Sequence, residues 1–352
     1  MSPKGFDNSH RLIRHEPLNA EVRPEALRTP LTSNRHFFIR SNFSCPSSLI
    51  RDPAVRIEGA VGHPRGWSLR ELRERPQRTV TVTTDCAGNG RTGLHPTPLG
   101  EPWRHGAVST AEWTGVPLAE LLHEAGLDVG VLEILACGRD RGVRDGDREI
   151  DFARSLPVGK AQDPDTLVAL EMNGEPIPKE HGAPVRLIVP GWYGMASVKW
   201  LFRIVALTDP FTGYFQFDRY RYEFEDGTAE PVTTIRPRSM VTHPGNDSRL
   251  PYEEVQIRGW AWSGSGPVTR VEVAVGGGDD WEEAHLGESA SPYSWRPWTF
   301  DWKPTERGLF VLRSRATDAS GAVQPDRARW NRHGYGNNAI RPVFVRISGR
   351  LP

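Results

Sequence analysis

The sequence has few cysteines: Cys45, Cys86 and Cys137 are widely spaced and odd in number. This excludes a disulfide framework and suits a reducing compartment. No run of about 18 apolar residues occurs, so no membrane-spanning helix and no membrane partner are predicted. The N-terminus has neither the apolar core of a signal peptide nor a twin arginine, and we therefore expect a cytoplasmic protein. Basic and acidic residues balance at 44 each, which argues against a nucleic-acid partner.

Several cofactor and catalytic motifs are also missing. The sequence has no Cys-x-x-Cys pair, which argues against a structural zinc or iron–sulfur site, and no Cys-x-x-Cys-His segment for attached haem. It has no Walker loop and no Gly-x-Ser-x-Gly elbow of a serine hydrolase. Any chemistry must therefore be sought in a less common set of residues.

The chain of 352 residues, with 37% hydrophobic and 25% charged residues, has the composition and length of a globular protein with two domains. We predict an N-terminal arm (1–36) extended over the surface, a mixed α/β domain (37–235) and an all-β domain (236–352). In the last part, five or more short strands with regular turns are typical of an immunoglobulin-like sandwich. The fold class is therefore predicted to be α+β. Within the mixed domain, Ser68 and Glu71 predict a capping box at the start of a short helix, and the charged segment 138–142, GRDRG, is predicted to be a loop.

The most informative stretch is 78–91, RTVTVTTDCAGNGR. Alternating threonine and valine predict a strand, and the glycines and asparagine after it predict a turn. Cys86 lies between the two, with Asp85 before it and Arg91 five residues later. A nearby cation favours the thiolate, a nucleophile and soft metal ligand, and the glycines let a bulky ligand approach. From the residues alone, a functional thiolate and a buried structural thiol both remain open.

Two further sets of polar residues are candidates for anion binding. The segment 36–42, HFFIRSN, predicts a short apolar strand in which Arg40 needs a carboxylate or an anion as its partner. The second set falls near the ends of predicted strands and in glycine-rich loops, and consists of His181, Arg186, Ser197 and Lys199. Together these four resemble an anion cradle, although ordinary ion pairs would also explain the cluster.

These motifs resemble those of the sulfite oxidase family of molybdenum enzymes. The loop 86–91, CAGNGR, is similar to that family's Cys-Ala-Gly-Asn-(Arg)-Arg loop, and 38–42, FIRSN, is similar to its Phe-x-Arg-x-(Asn/His) strand. Further similar segments, in the same order along the chain, are 103–110, 171–191, 198–201, 259–264, 295–298, 330–331 and 338–339. The resemblance implies a molybdopterin domain of the sulfite oxidase type, followed by an immunoglobulin-like dimerisation domain and hence a homodimer.

The resemblance also implies a role for particular residues. Cys86 is expected to supply the one protein thiolate to molybdenum, beside the dithiolene of molybdopterin. The residues expected to bind the cofactor are Phe38, Ile39, Arg40, Ser41, Asn42, Asp140, His181, Arg186, Ser197, Val198 and Lys199. Arg40, Arg91 and Arg296 are expected to surround the open side of the metal, where clustered guanidiniums favour a small oxyanion.

The implied reaction is oxygen-atom transfer to sulfite or a similar small oxyanion. Electrons would pass to an external carrier, such as a c-type cytochrome or another soluble acceptor, because we recognise no haem-binding segment and expect no haem.

Two departures from the family pattern bear on the substrate. The resemblance implies a tyrosine of the substrate pocket directly before the 171–174 stretch, EMNG, but that position is Leu170. Tyr193 is our candidate for a substitute hydroxyl. The Cys86 loop also has Gly90 in place of an arginine. Two alternatives therefore remain open: a reductase of S-oxides or N-oxides on the same cofactor, and a non-catalytic scaffold that keeps the fold.

Overall fold

The computed structural model describes residues 8–47, 54–144, 146 and 148–348. The elements of the first part of the chain are, in order, β1 (His10–Arg14), β2 (Asn19–Val22), β3 (Val55–Gly59), β4 (Arg65–Trp67), α1 (Leu69–Arg73), β5 (Arg78–Asp85), β6 (Val108–Pro117), α2 (Leu118–Ala125), β7 (Glu133–Arg144), β8 (Arg148–Pro157), α3 (Val158–Ala161), β9 (Leu167–Met172), β10 (Glu175–Pro176), β11 (Arg186–Ile188), β12 (Leu201–Leu207), α4 (Tyr214–Phe217), β13 (Arg221–Glu223) and β14 (Ala229–Pro231). Single 3-10 turns occur at Pro24–Ala26, Arg91–Gly93, Lys179–His181 and Gly194–Ala196.

Two five-stranded sheets form the first domain. One has the order β10-β9-β6-β5, with β11 also paired to β9, and the other has the order β4-β3-β12-β7-β8. The threonine–valine alternation of β5 places Val80 and Val82 in the core. The predicted capping box begins α1, where the Ser68 hydroxyl accepts from the Glu71 amide and the Glu71 carboxylate accepts from the Ser68 amide.

The C-terminal part contains strands only, within the described residues. They are β15 (Arg238–His243), β16 (Ser248–Leu250), β17 (Val255–Trp262), β18 (Val268–Val275), β19 (Glu282–Glu283), β20 (His285–Leu286), β21 (Arg296–Trp302), β22 (Gly308–Asp318) and β23 (Val343–Ile347). The sheets β15-β17-β21-β20 and β16-β23-β22-β18-β19 enclose a separate buried apolar cluster. Together with the mixed first domain, this arrangement confirms the predicted fold class.

Three local predictions were wrong. The described part of the N-terminal arm is a β1-β2 hairpin whose strand β2 is buried throughout, and Val22 and Leu27 join the main core. The segment 36–42 forms turns and an isolated bridge from Ile39 to Ala20, because its partner is this hairpin rather than a sheet edge. The charged segment 138–142, which we predicted as a loop, continues β7, with a bulge between Cys137 and Arg141.

The two domains meet along buried tryptophans. Trp260 and Trp295 stack with their ring centroids 4.7 Å apart, and their indole N–H groups donate to the carbonyl oxygens of Leu27 and Pro30. These rings belong to the same buried cluster as the core of the first domain. The hydrophobic core therefore does not divide near residue 235, and the domain boundary there stays a prediction. Within the described residues, no helix is long and apolar enough to cross a membrane.

Candidate active site

Cys86 lies directly after β5, where the strand turns into the glycine-containing loop. Its amide donates to the carbonyl of Ala107, and its own carbonyl accepts from the amide of Asn89 (2.8 Å). Because side chains alternate along a strand, Thr84 and Cys86 point to one side of the sheet. Both line a cavity, which we call the inner cavity.

The surroundings of the thiol differ from our prediction in two respects. Burial raises the pKa of Cys86, and the opposing effects of Arg40 and Arg91 are smaller. The thiol is therefore protonated near neutral pH unless a metal displaces its proton. The glycines of the loop also allow close packing within the protein, because a Cβ at Gly88 would lie 2.6 Å from the Arg91 guanidinium.

The inner cavity brings together most of the residues predicted to bind the cofactor. Those lining it are Phe38, Arg40, Ser41, Asn42, Asp140, His181, Arg186, Ser197 and Lys199. Ile39 and Val198 do not line it: Ile39 pairs with the N-terminal hairpin, and Val198 is fully buried in the core. The four residues of the predicted anion cradle thus share one cavity with Cys86.

Arg186 and His181 present different chemistry to this cavity. The Arg186 guanidinium donates to the carbonyls of His181 (2.7 Å) and Ser197 (3.0 Å), and no described carboxylate forms an ion pair with it. Burial lowers the pKa of Arg186 to about 9, so it remains a cation that lacks an anion. Burial, with Lys199 nearby, lowers the pKa of His181 to about 3. Its Nε2 must carry the proton, because that atom faces the carbonyl of Asn34 (3.0 Å).

The inner cavity is also lined by two buried side chains of opposite charge, Asp140 and Lys199. Burial raises the pKa of Asp140 and lowers that of Lys199, while each offsets part of the shift of the other. Lys199 Nζ donates to the Ser41 hydroxyl (2.7 Å) and to the carbonyl of Glu180. Asn19 of the N-terminal hairpin fixes Ser41, accepting from its amide and donating to its carbonyl. We did not predict Asn19, because a single asparagine in a polar segment gives no signal.

A second cavity, which we call the outer cavity, opens beside the first. Arg40, Asn42, Cys86 and Tyr220 line both cavities, so the thiol lies where they meet. The charged side chains of the outer cavity are six arginines (Arg14, Arg40, Arg91, Arg144, Arg219 and Arg332) and one carboxylate, Glu101. In a chain with no net charge, this local excess of positive charge favours an anion.

Arg91 and Arg40 are held in place by their own hydrogen bonds. Arg91 donates to the carbonyls of His333 (2.9 Å) and Glu101 (2.7 Å). Arg40 donates to Oδ1 of Asn19 (3.3 Å) and of Asn42 (2.5 Å), and also to the Ser41 carbonyl. Preorganised guanidiniums of this kind bind an oxyanion without first losing side-chain freedom.

Three predictions for the substrate side were wrong. Arg296 lies in β21 and lines neither cavity, because its guanidinium donates to the carbonyls of Gly287 and Val268. Tyr193 is a core residue whose hydroxyl accepts from the Arg236 amide. Leu170 also lies in the core and lines neither cavity, so it does not bear on the substrate pocket.

The tyrosine that lines both cavities is instead Tyr220, whose hydroxyl accepts from Asn42 Nδ2 (3.2 Å). It is one of four described non-glycine residues with positive φ, at 52°. We missed it because the segment 211–234 is irregular and has no periodic pattern.

The inner cavity fits molybdopterin by the chemistry of its donors and acceptors. Asp140 Oδ1 and Arg186 Nε are buried without a hydrogen-bond partner, and such atoms require one. A pterin offers both donors and acceptors, its phosphate would neutralise Arg186, and Cys86 offers one soft sulfur ligand. The site therefore defines a molybdopterin-binding protein.

Comparison with known proteins also indicates a molybdopterin-binding protein. Sequence models for an oxidoreductase molybdopterin binding domain and a Mo-co oxidoreductase dimerisation domain match residues 44–215 and 230–347. The chain is 35% identical to chicken (Gallus gallus) sulfite oxidase over 92% of its own length and 75% of that protein. It therefore belongs to the sulfite oxidase family of molybdopterin-dependent oxidoreductases.

Other relatives extend the comparison. Mitochondrial sulfite oxidase of Rattus norvegicus is 35% identical over 96% of this chain, which spans 65% of that longer protein. Nitrate reductase [NADH] 1 of Arabidopsis thaliana is 30% identical over 93% of this chain and 40% of its own length. The solved structure of the sulfane dehydrogenase SoxCD from Paracoccus pantotrophus superposes with a TM-score of 0.85 at 27% identity, over 99% of this chain and 94% of that one.

A glycine substitution tests whether the inner cavity holds the cofactor. A Cβ at Gly138 would lie 2.5 Å from Asp140 Oδ1 and 2.7 Å from the Lys199 carbonyl. Gly138→Ala should therefore displace both residues, at a cost of about 1–3 kcal/mol, and lower the molybdenum content per chain several-fold. Elemental analysis checks this. Gly159→Ala is the matched control, because no atom lies within 4 Å of its Cβ; equal metal content in the two variants would contradict the assignment.

Proposed function

We propose that this protein oxidises sulfite, or a similar small sulfur oxyanion, and passes the electrons to a separate carrier. The observation that carries the proposal is the position of Cys86 between an inner cavity lined by the predicted cofactor-binding residues and an arginine-lined outer cavity. The molybdenum cofactor, when bound, supplies the two-electron oxygen-atom transfer chemistry. A sulfur substrate is favoured over nitrate because relatives with higher identity are named sulfite oxidases.

The protein's own groups would bind and orient the substrate. Arg40 and Arg91 supply charge-assisted hydrogen bonds to an oxyanion. Tyr220 adds a hydroxyl beside them, which can donate to a further oxygen of the same anion. The cofactor-binding roles proposed for His181, Arg186, Ser197 and Lys199 follow from their place in the inner cavity. Arg186 and Lys199 would hold the phosphate of the cofactor, and Nδ1 of His181 would accept a hydrogen bond from it.

The proposal also covers the oligomeric state, the electron acceptor and the cellular location of the protein. The match of the C-terminal domain to a dimerisation domain supports a homodimer, since twofold assemblies are the commonest. The electron acceptor is proposed to be a c-type cytochrome or another soluble carrier. A cytoplasmic location is proposed from the three free cysteines.

A direct assay tests the function. Molybdenum-loaded protein should oxidise sulfite with an artificial electron acceptor, measured as acceptor reduction at increasing sulfite concentration. No turnover with sulfite, together with reduction of an S-oxide or N-oxide, would favour the reductase instead. Protein that contains no molybdenum after purification from a host that makes the cofactor would favour the non-catalytic scaffold.

A further inference from the structure

We propose that the C-terminal domain positions the metal-binding thiol, through a buried hydrogen bond from Trp262 to Asp85. We call this contact, together with the hydrogen bond from Asn89 to Asp85, the Asp85 link. The proposal gives the C-terminal domain a role at the active site that is separate from dimerisation. It rests on Cys86 as the metal ligand and does not depend on which substrate is oxidised.

The first step of the argument is the direction of neighbouring side chains. Thr84 and Cys86 face the inner cavity, so Asp85 between them faces the opposite way, towards β17 of the C-terminal domain. Asp85 is 2% exposed. Its Oδ2 accepts from the indole N–H of Trp262 at 3.0 Å. A displacement of the Asp85 carboxylate would therefore also move the next residue, Cys86, which carries the thiol.

The second step is the loop itself. Asp85 Oδ1 accepts from the side-chain amide of Asn89 at 2.9 Å, and the Asn89 side-chain oxygen accepts from the Ala107 amide at 3.3 Å. One carboxylate thus connects the end of β5, the loop after Cys86 and the C-terminal domain. Loss of either donor would leave one oxygen of the buried carboxylate without a hydrogen bond, which is energetically costly. The positions of Trp262 and Asn89 relative to Asp85 are therefore closely fixed.

A buried cation accompanies the carboxylate. Arg238 of β15 lies with its guanidinium carbon 5.8 Å from the centre of the Trp262 ring. It donates to Nδ1 of His105 at 2.8 Å, and this histidine must be neutral to accept. Burial raises the pKa of Asp85, and the positive charge of Arg238 is the largest effect that opposes this rise.

The C-terminal domain also holds the far end of the loop. The Gly336 amide donates to the carbonyl of Ala87 at 2.7 Å, and the Asn337 side chain donates to the carbonyl of Gly90 at 2.6 Å. A Cβ at Gly90, where φ is +84°, would lie 3.3 Å from Arg238 and Asn337. The loop after Cys86 is therefore fixed on both sides by residues of the second domain.

The test compares two tryptophan variants of the full chain. Trp262→Phe removes the donor to Asp85 and keeps an aromatic ring. Trp260→Phe is the matched control, because its buried indole donates to the carbonyl of Leu27 (2.7 Å), away from the loop. In cofactor-free protein, the rate of Cys86 alkylation by iodoacetamide, followed by peptide mass spectrometry, should rise about tenfold in Trp262→Phe only, because the loop opens more often.

A second measurement uses molybdenum-loaded protein. The visible absorption band of the sulfur-ligated metal should shift in Trp262→Phe and stay unchanged in Trp260→Phe. Equal alkylation rates and unchanged bands in both variants would overturn the proposal.

A second substitution covers the case in which Trp262→Phe does not fold. Asp85→Asn keeps the shape of the side chain, but its one amide oxygen can accept from only one of the two donors and its NH2 group faces the other. It should therefore also raise the alkylation rate of Cys86. An unchanged rate in folded Asp85→Asn, judged by circular dichroism, would also overturn the proposal. The alkylation assay needs neither substrate nor cofactor, so failure of the sulfite assay would leave this test intact.

Discussion

Replacing Cys86 with serine should abolish molybdenum-dependent turnover while the fold survives. A loss of about three orders of magnitude or more, equivalent to at least about 4 kcal/mol in the barrier, is expected. Serine has nearly the same shape, but its hydroxyl is a hard and much less acidic ligand than a thiol, so it does not replace soft sulfur at this metal. The Cys86 side chain packs at the edge of a cavity, so the free energy of unfolding should change by only about 1 kcal/mol.

Three measurements check this prediction: molybdenum per chain, the visible spectrum and sulfite turnover, with thermal unfolding as the test of the fold. Cys137→Ser is the matched control, because Cys137 is equally buried, lies in a separate small apolar cluster and lines neither cavity. Turnover retained by Cys86→Ser would count decisively against the assignment of the metal ligand.

Replacing Arg40 with glutamine should raise the KM for sulfite about a hundredfold. The guanidinium lies at the junction of the two cavities, and the change removes both its charge and a charge-assisted hydrogen bond to the oxyanion, worth about 1.5–3 kcal/mol. Glutamine can still donate to Asn19 or Asn42, so the local backbone should be preserved. Steady-state kinetics at constant ionic strength measure the effect, and the molybdenum content verifies that the cofactor is still bound.

The control for Arg40 is Arg78→Gln. Arg78 begins β5, at the opposite end of that strand from Cys86, and forms a half-exposed ion pair with Asp165 (2.6 Å). Exposed pairs of this kind contribute about 1 kcal/mol or less to stability, and sulfite binding should not change. A similar KM for wild type and Arg40→Gln would mean that the substrate binds elsewhere.

The sequence by itself determined the features that depend on neighbouring residues. The alternation of β5, the capping box of α1 and the turn after Cys86 are local patterns, and each is present in the structure. The motif around Cys86 and the segments containing His181, Arg186, Ser197 and Lys199 also pointed to one anion-binding cofactor site. Local propensity and side-chain alternation act over a few residues, so they can be read without knowledge of the fold.

Only the tertiary structure decided which distant residues complete the site. Tyr220 lines both cavities and Asn19 fixes Ser41, although both come from segments without a recognisable pattern. Arg296 and Tyr193 form hydrogen bonds with other partners instead. It also decided the sign of the Cys86 pKa shift, because burial outweighs the nearby arginines. Desolvation and hydrogen bonds between residues far apart in the chain, such as Trp262 and Asp85, depend on how the two domains pack, and no local pattern encodes that packing.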